Sequence, residues 1–435
     1  MVIPHRKGGI EFCDGQFEGG EVFEPRKGFY NSPVATLDFA SLYPSIMISG
    51  NICYTTLVRP DVAKDLATSD YMVTPAGSCF VKSHVRKGLL CEILEALLAE
   101  RARAKNEAEN SRSKAEELEA LAQASPLSPE AQKLKAQAAQ YMALAVVLES
   151  RQVALKISAN SIYGFTGAGA GSLPCVEIAA SVAAIGRAMI GLTRQIITEH
   201  FTRANGFPGD AEVIYGDTDS VMVDFKDVSL SGALELGRKA AELLTERFHE
   251  PVRLEFEKVY FPLLLISKKR YAGLLYTRAD QPGRKDTKGV ESVRRDSCLL
   301  VKTMVDKVLD LLLQARDLPN AVRYVRGTLQ DLAKGKIDIS QLILSRTITR
   351  CLDDESYKAK LAHVEVARKV QARDPSYVFH VGDRVSYVII AGAKGTKNFE
   401  RCEDPSFAFA NELPIDLEYY MQEQIRPPLE RILSA

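Results

Sequence analysis

From Lys87 to Leu121 the chain is rich in Ala, Leu, Glu and Arg, breaks at "SPLSPE" (Ser125 to Glu130), and resumes from Ala131 to about Tyr163 with the same composition. No other feature restricts the fold as much. Ser128 as N-cap, Pro129 at the first helical position and Glu130 behind it make a helix-start signal, so the segment reads as a long antiparallel helical hairpin. With the turn centred near Leu127, Arg101 lies 26 residues before it and Lys156 lies 29 after it. At about 1.5 Å of rise per residue both sit roughly 40 Å below the tip, level to about 5 Å. Two cations therefore meet at the base of the hairpin.

The segments on either side read differently. "VATLDF" is an apolar strand, and "AEVIYGDTDSVMVDF" (Ala211 to Phe225) has β-branched runs flanking Gly216-Asp217-Thr218-Asp219, the pattern of strand, tight turn, strand. "LEFEKVYFPLLLI" suggests further strands and "SKKRYAGLLYT" a second strand pair. From about Cys298 to Leu361 helical periodicity dominates, with a strand at "VSYVIIAG" and a last helix to Ile432. The expected class is α+β. At 435 residues and 46% hydrophobic content the chain exceeds one compact domain, and two or three subdomains are expected.

Net charge is zero, yet its distribution is uneven: nine acids against four Lys/Arg between Glu212 and Glu250, then twelve Lys/Arg against six acids from Arg253 to Lys302. One region could hold cations and its neighbour polyanions, although such runs are most often solvated faces. The eight cysteines form no C-x-x-C pair, which argues against a zinc site and a disulfide framework. No stretch reaches about 18 uninterrupted apolar residues and no signal-peptide pattern opens the chain, so a soluble, intracellular protein without a membrane partner is expected.

Chemistry concentrates in three stretches. Asp38 ends "VATLDF", while Asp217 and Asp219 flank a hairpin tip. If that hairpin lies beside the strand, three carboxylates converge, which is unfavourable unless a cation sits among them. Oxygen ligands with no His or Cys nearby select Mg²⁺, with Mn²⁺ able to substitute, and two such ions can clamp the attacking and leaving oxygens of a phosphoryl displacement. Behind Asp38, "SLYPS" starts a helix whose N–H groups at Ser41, Leu42 and Tyr43 can receive a phosphate chain. In "KISANSIYG", Lys156, Asn160 and Tyr163 recur at i, i+4 and i+7 and share one helix face. Lys can neutralise a triphosphate, Asn can hydrogen-bond it, Tyr can stack on a base, and Gly164 lets a base pair approach. Each stretch alone has a plain structural reading: an acidic turn, an ordinary helix cap, a solvated polar stripe. Their combination favours chemistry.

At these stretches the sequence resembles the family B DNA polymerases. "DFASLYPSIM" is similar to the first palm motif of that family, "KISANSIYGFTGA" to its fingers motif and "YGDTDSVMV" to its second palm motif. "LEFEKVYFPLLLISKKRYAG" and "KGVESVRRD" resemble the eukaryotic delta branch, and the resemblance runs from about residue 20 to the end. It implies a right-hand fold: an antiparallel palm sheet in residues 1–85 and 166–315, a helical-hairpin fingers in 86–165, and a mostly helical thumb in 316–435. The implied activity is template-directed DNA synthesis from dNTPs on a primer–template, with two Mg²⁺ ions. Asp38 and Asp219 would be the principal metal ligands, assisted by Asp217 and the Phe39 carbonyl, with Glu257 a lesser acid nearby. Tyr43 would exclude a ribose 2′-hydroxyl, and Arg101, Lys156 and Asn160 would grip the triphosphate. Within Lys268-Lys269-Arg270-Tyr271, Lys269 and Tyr271 would touch primer or template near the 3′ end. Lys269, Arg270 and the thumb's Lys394 and Lys397 would contact the DNA backbone, and Lys268 counts with them among the nucleic-acid residues.

The sequence departs from the family pattern in places. The hairpin is longer than the delta branch leads one to expect, nothing resembles the D-I-E stretch of a proofreading domain, and no Cys-rich tail follows "LERILSA". The chain thus reads as a portion of something longer, whose full form would meet accessory subunits and a sliding clamp in the nucleus or at an intracellular viral replication site. Two rival functions are a non-catalytic DNA-binding scaffold of polymerase shape and an untemplated nucleotidyl transferase. Retention of all three acids and Lys156 speaks against the first, and Gly164 with the hairpin against the second.

Overall fold

The computed structural model describes residues 17–124, 129–168, 173–352, 360–393 and 395–434. The strands that bear on the site and on the second unit are β1 (Gly28–Tyr30), β2 (Val34–Phe39), β3 (Glu212–Asp217), β4 (Ser220–Asp224), β5 (Leu254–Ser267), β6 (Arg270–Tyr276) and β7 (Arg284–Lys288). The principal helices are α1 (Leu42–Ser49), α2 (Leu89–Ala124), α3 (Pro129–Gly167), α4 (Val176–His200), α5 (Leu230–Thr245), α6 (Leu299–Leu313), α7 (Leu318–Ala333) and α8 (Ala362–Arg373). Two compact units form. Among the described residues, the first holds Phe17–Phe23, Thr36–Val223 and Glu235–Glu257, and the second holds Glu24–Ala35, Asp224–Leu234 and the chain from Lys258 onward.

In the first unit β2 lies between β4 and the opening of β5, with β3 outside β4. Leu37 and Phe39 of β2 are fully buried while Asp38, facing the other way, is only half-buried, as the strand's alternation requires. α4 is long and apolar enough to cross a membrane by length and composition. Here it is a core helix: Ile178, Val182, Ile190 and Ile197 are buried, and it packs on α1 and β3.

The helical hairpin is α2 and α3, which run beyond the expected limits, to Gly167 instead of Tyr163. Pro129 opens α3 with Glu130 in its first turn, whereas Ser128, the expected cap, lies outside the described residues. Small residues explain how two helices of 36 and 39 residues stay together. On α2, Ala104, Ala108, Ser111, Ala115 and Ala122 are buried at spacings of three, four and seven; on α3, Ala131, Ala138 and Ala145 recur every seven. This is a coiled-coil seam in which alanines let the backbones approach closely.

In the second unit β1 runs antiparallel to β5, pairing Gly28 with Leu265 and Tyr30 with Leu263, and β5, β6 and β7 form an antiparallel meander. "SKKRYAGLLYT" is therefore not a strand pair of its own. Lys268 and Lys269 make a tight turn, Lys269 at φ 61°, and β6 pairs back onto β5. The helical stretch after Cys298 supplies α6 and α7 but gives way at Leu344–Thr347, which is a strand. It pairs with the expected strand at Arg384–Ile389, whose other neighbour is Cys402–Glu403. The core of this unit joins Val301, Val305, Leu309, Val364, Val385 and Tyr420 among others. The cysteines among the described residues are unpaired, and all but Cys351 are buried.

Candidate active site

Backbone hydrogen bonds bring the two acidic stretches together. The Phe39 N–H donates to the Asp219 carbonyl at 2.7 Å and the Ala40 N–H to the Arg253 carbonyl at 3.0 Å, so Asp38 and the hairpin tip share one edge. Thr218, at φ 60°, occupies the left-handed position of the turn, and its N–H donates to the Glu21 carbonyl at 2.8 Å. Asp38 and Asp219 then border a single cavity of about 1010 Å³. Burial, followed by Asp219 and Glu257, pushes the Asp38 carboxyl up to about 7, and Lys156 opposes the shift.

Asp217 takes no part in that lining. The Tyr215 hydroxyl donates to its carboxylate at 3.4 Å and the Thr218 hydroxyl at 3.3 Å. Among the described residues no group of three His, Cys, Asp or Glu stands ready-made to hold a metal. Asp38 and Asp219 thus face one cavity, with Glu257 close enough to act on Asp38. Asp217 closes β3, and the left-handed Thr218 stands between it and Asp219.

The same cavity takes in Phe39, Ser41, Leu42, Tyr43, Arg101, Lys156, Asn160 and Tyr163. Ser41 is the N-cap of α1 but sits in the left-handed region (φ 49°, ψ 53°), and its side chain caps nothing. Instead its hydroxyl accepts a hydrogen bond from the Arg101 guanidinium at 2.7 Å. The opening N–H groups of α1 therefore receive no side-chain cap from Ser41, and no acid lies in the first turn. Arg101 and Lys156 arrive from opposite helices at the same level, as their distances from the hairpin tip predict. Tyr43 packs against Tyr163 with ring centroids 4.3 Å apart and the rings tilted by 48°, and burial, then Tyr163, pushes its phenol up to about 12. A Cβ on Gly20 would come within 2.6 Å of Thr218 and 2.9 Å of the Tyr43 hydroxyl, so only glycine fits against that wall. At Gly164 a Cβ would meet nothing, so no packing within the protein calls for glycine there.

Sequence reading passed over Gln152. Its amide oxygen accepts from Arg101 Nε at 3.2 Å while its amide nitrogen donates to Glu149 at 2.7 Å, which fixes the guanidinium toward Ser41. The signal was available, since Gln152 lies one turn before Lys156 on the face that carries Asn160 and Tyr163. Glu255, Lys105 and Arg253 on the cavity rim were also missed; Glu255 pairs with Arg253 at 2.9 Å and Lys105 at 3.9 Å.

Among the described residues, the expected nucleic-acid residues Lys268, Lys269, Arg270, Tyr271 and Lys397 lie in the second unit, and Tyr163 and Gly164 in the first. Lys268 pairs with Glu24 at 2.8 Å and Arg270 with Glu291 at 3.1 Å, so their charges are partly engaged within the protein. Tyr271 meets Tyr260 edge to face at 5.9 Å. Lys397 is exposed beside Phe399, while Lys394 lies outside the described residues.

Hard oxygen donors with no His or Cys in the lining, and a carboxyl held above its ordinary range by burial and then by facing acids, suit divalent cations such as Mg²⁺ or Mn²⁺. The profile described as DNA polymerase family B matches residues 1–123 and 130–435. The chain belongs to DNA polymerase family B, and its fold is the α+β fold of that family. It is 48% identical over 437 residues to the DNA polymerase delta catalytic subunit of Glycine max, and 47% identical over 434 residues to that of Candida albicans. These alignments cover 100% and 99% of this chain but 37% and 38% of the relatives, so the chain spans little more than a third of their length. The structure of the family B DNA polymerase from the archaeon Pyrobaculum calidifontis is similar at TM-score 0.61 and 30% identity, covering 99% of this chain and 48% of that one. Family B DNA polymerases depend in general on divalent metals.

Proposed function

We propose that this chain extends a DNA primer along a template, adding deoxynucleotides from dNTPs to the 3′-hydroxyl. The observation that carries the reading is the side-by-side arrangement of Asp38 and Asp219 in a cavity that also takes in Tyr43, Arg101, Lys156 and Asn160. Asp38 and Asp219, with the Phe39 carbonyl and Glu257 or Asp217 in support, would hold two Mg²⁺ ions. Bound there, the ions would ease deprotonation of the 3′-hydroxyl and take up charge on the departing pyrophosphate. Everything else falls to the chain's own groups. Arg101 and Lys156 neutralise the triphosphate from one side, the opening N–H groups of α1 receive it from the other, and Asn160 fixes its orientation. The Tyr43 ring, wedged between Gly20 and Tyr163, fills the space a 2′-hydroxyl would need.

In this reading residues 1–85 and 166–315 act as palm, 86–165 as fingers and 316–435 as thumb, with Lys268, Lys269, Arg270, Tyr271, Lys394 and Lys397 on the primer–template. The full-length protein would work in the nucleus with accessory subunits and a sliding clamp. Primer extension by this chain with Mg²⁺, with and without template, is the test. Asp38→Ala and Asp219→Ala should each abolish extension while duplex binding persists; extension at the unsubstituted rate by either variant refutes the assignment.

A further inference from the structure

Within the second unit a pocket of about 490 Å³ is bordered by Arg346, Thr347, His363 and Arg384, with Asp296 at its edge. His363 is 5% exposed, yet its Nδ1 has no hydrogen-bond partner among the described residues. A buried polar atom left without a partner is costly, and in a lined pocket it points to a ligand group. Burial and then Arg346 hold the imidazole's pKa below its ordinary value. His363 also lies in the first turn of α8, whose N-cap, Leu361, borders the same pocket and offers no capping side chain. Arg384 is braced by the Ser345 and Thr347 hydroxyls at 3.0 and 3.2 Å, and Arg346 is exposed. Asp296, the one acid in the lining, is spanned by Arg294 at 3.0 and 2.8 Å, leaving the two pocket arginines as surplus positive charge.

We infer that this pocket receives one phosphate of the duplex backbone, with Arg346 and Arg384 supplying charge and His363 Nδ1 a hydrogen bond. The inference rests on the proposed DNA-binding function and adds a site to it, away from Lys394 and Lys397. The test measures anisotropy of a labelled primer–template with this chain over a KCl series. Arg346→Gln should weaken binding about 3- to 10-fold and lower the salt slope by about one, Arg346→Lys should restore most of the slope, and Arg323→Gln, on the exposed face of α7, should change little. In parallel, inorganic phosphate should move the ¹⁵N resonance of His363, one of six histidines. An Arg346→Gln slope equal to that of Arg323→Gln overturns the inference while leaving DNA synthesis intact. A His363 response to phosphate with an unchanged duplex slope also overturns it, assigning the pocket to free phosphate. Failure of the unsubstituted chain to bind any duplex would instead sink the proposed function itself.

Discussion

Removing the charge of Asp38 should stabilise the metal-free protein, although it destroys the metal site. The carboxyl is held near 7 against an ordinary value of 3.8, by burial first and then by Asp219 and Glu257. Between about pH 4 and pH 7 the folded chain keeps a proton that the unfolded chain has released. Stability from this group is therefore present at low pH and lost as pH rises through that window. A displacement of that size corresponds to about 4 kcal/mol at pH 8, which partial exposure and screening reduce to about 2–3 kcal/mol. Asp38→Asn does not ionise and escapes the loss. In EDTA at pH 8 its Tm should exceed that of the unsubstituted chain by about 5–10 °C, with less than half that gain at pH 5. Mg²⁺ should reverse the order at pH 8, raising the Tm of the unsubstituted chain and leaving Asp38→Asn nearly unmoved. Differential scanning fluorimetry at the two pH values, with and without Mg²⁺, reads all four quantities. A variant no more stable than the parent in EDTA at pH 8, or equally stabilised at both pH values, would show that the carboxyl is not held against its acidic neighbours.

Four further outcomes are expected. Tyr43→Ala should reduce discrimination against ribonucleotides by roughly 10- to 200-fold, read as the ratio of kcat/KM for dNTP and rNTP. Lys156→Ala should raise the KM for dNTP by about 10- to 100-fold with duplex affinity unchanged, since it removes one charge-assisted contact to the triphosphate. Gly289→Ala should lower the Tm sharply: Gly289 lies at φ 67° and a Cβ there would stand 2.1 Å from the Lys269 carbonyl oxygen, a clash no rotamer relieves. Ala115→Leu should cost about 1–3 kcal/mol by wedging the hairpin seam apart, visible as an earlier loss of helical circular dichroism on heating.

The parts legible in the sequence were those whose signal is periodic or punctuated. The hairpin followed from composition and a Pro-marked break, and the level of Arg101 and Lys156 from rise per residue alone. The Asp217–Asp219 turn followed from β-branched runs around a Gly-Asp-Thr-Asp tip. Less legible were features that depend on one backbone conformation. Thr218 and Ser41 both adopt left-handed dihedrals without being glycine or asparagine, so nothing in their identity announced that conformation, or that Ser41 would turn its hydroxyl toward Arg101 and give α1 no side-chain cap. The strand at Leu344–Thr347 was hidden for a different reason: four residues are too few to establish a period against a helical background.

The two left-handed residues bear on function as well as on prediction. Such dihedrals cost about 1–3 kcal/mol each and persist only where surrounding contacts enforce them. At Ser41 the enforcing contact is Arg101, itself held by Gln152 on the opposite helix of the hairpin. The N-terminus of α1 is therefore kept free of its own cap by a cation from the helical hairpin, the element that also brings Lys156 and Asn160 to the cavity. A phosphate chain arriving there competes with no internal acceptor for the helix N–H groups, but it does compete with the Ser41 hydroxyl for the Arg101 guanidinium. Transfer of Arg101 from Ser41 to the substrate would link nucleotide occupancy to the position of the hairpin. Gln152→Leu, which frees Arg101 without removing its charge, should accordingly raise the KM for dNTP while sparing duplex binding, and an unchanged KM would mean that the Gln152 contact does not hold the arginine in place.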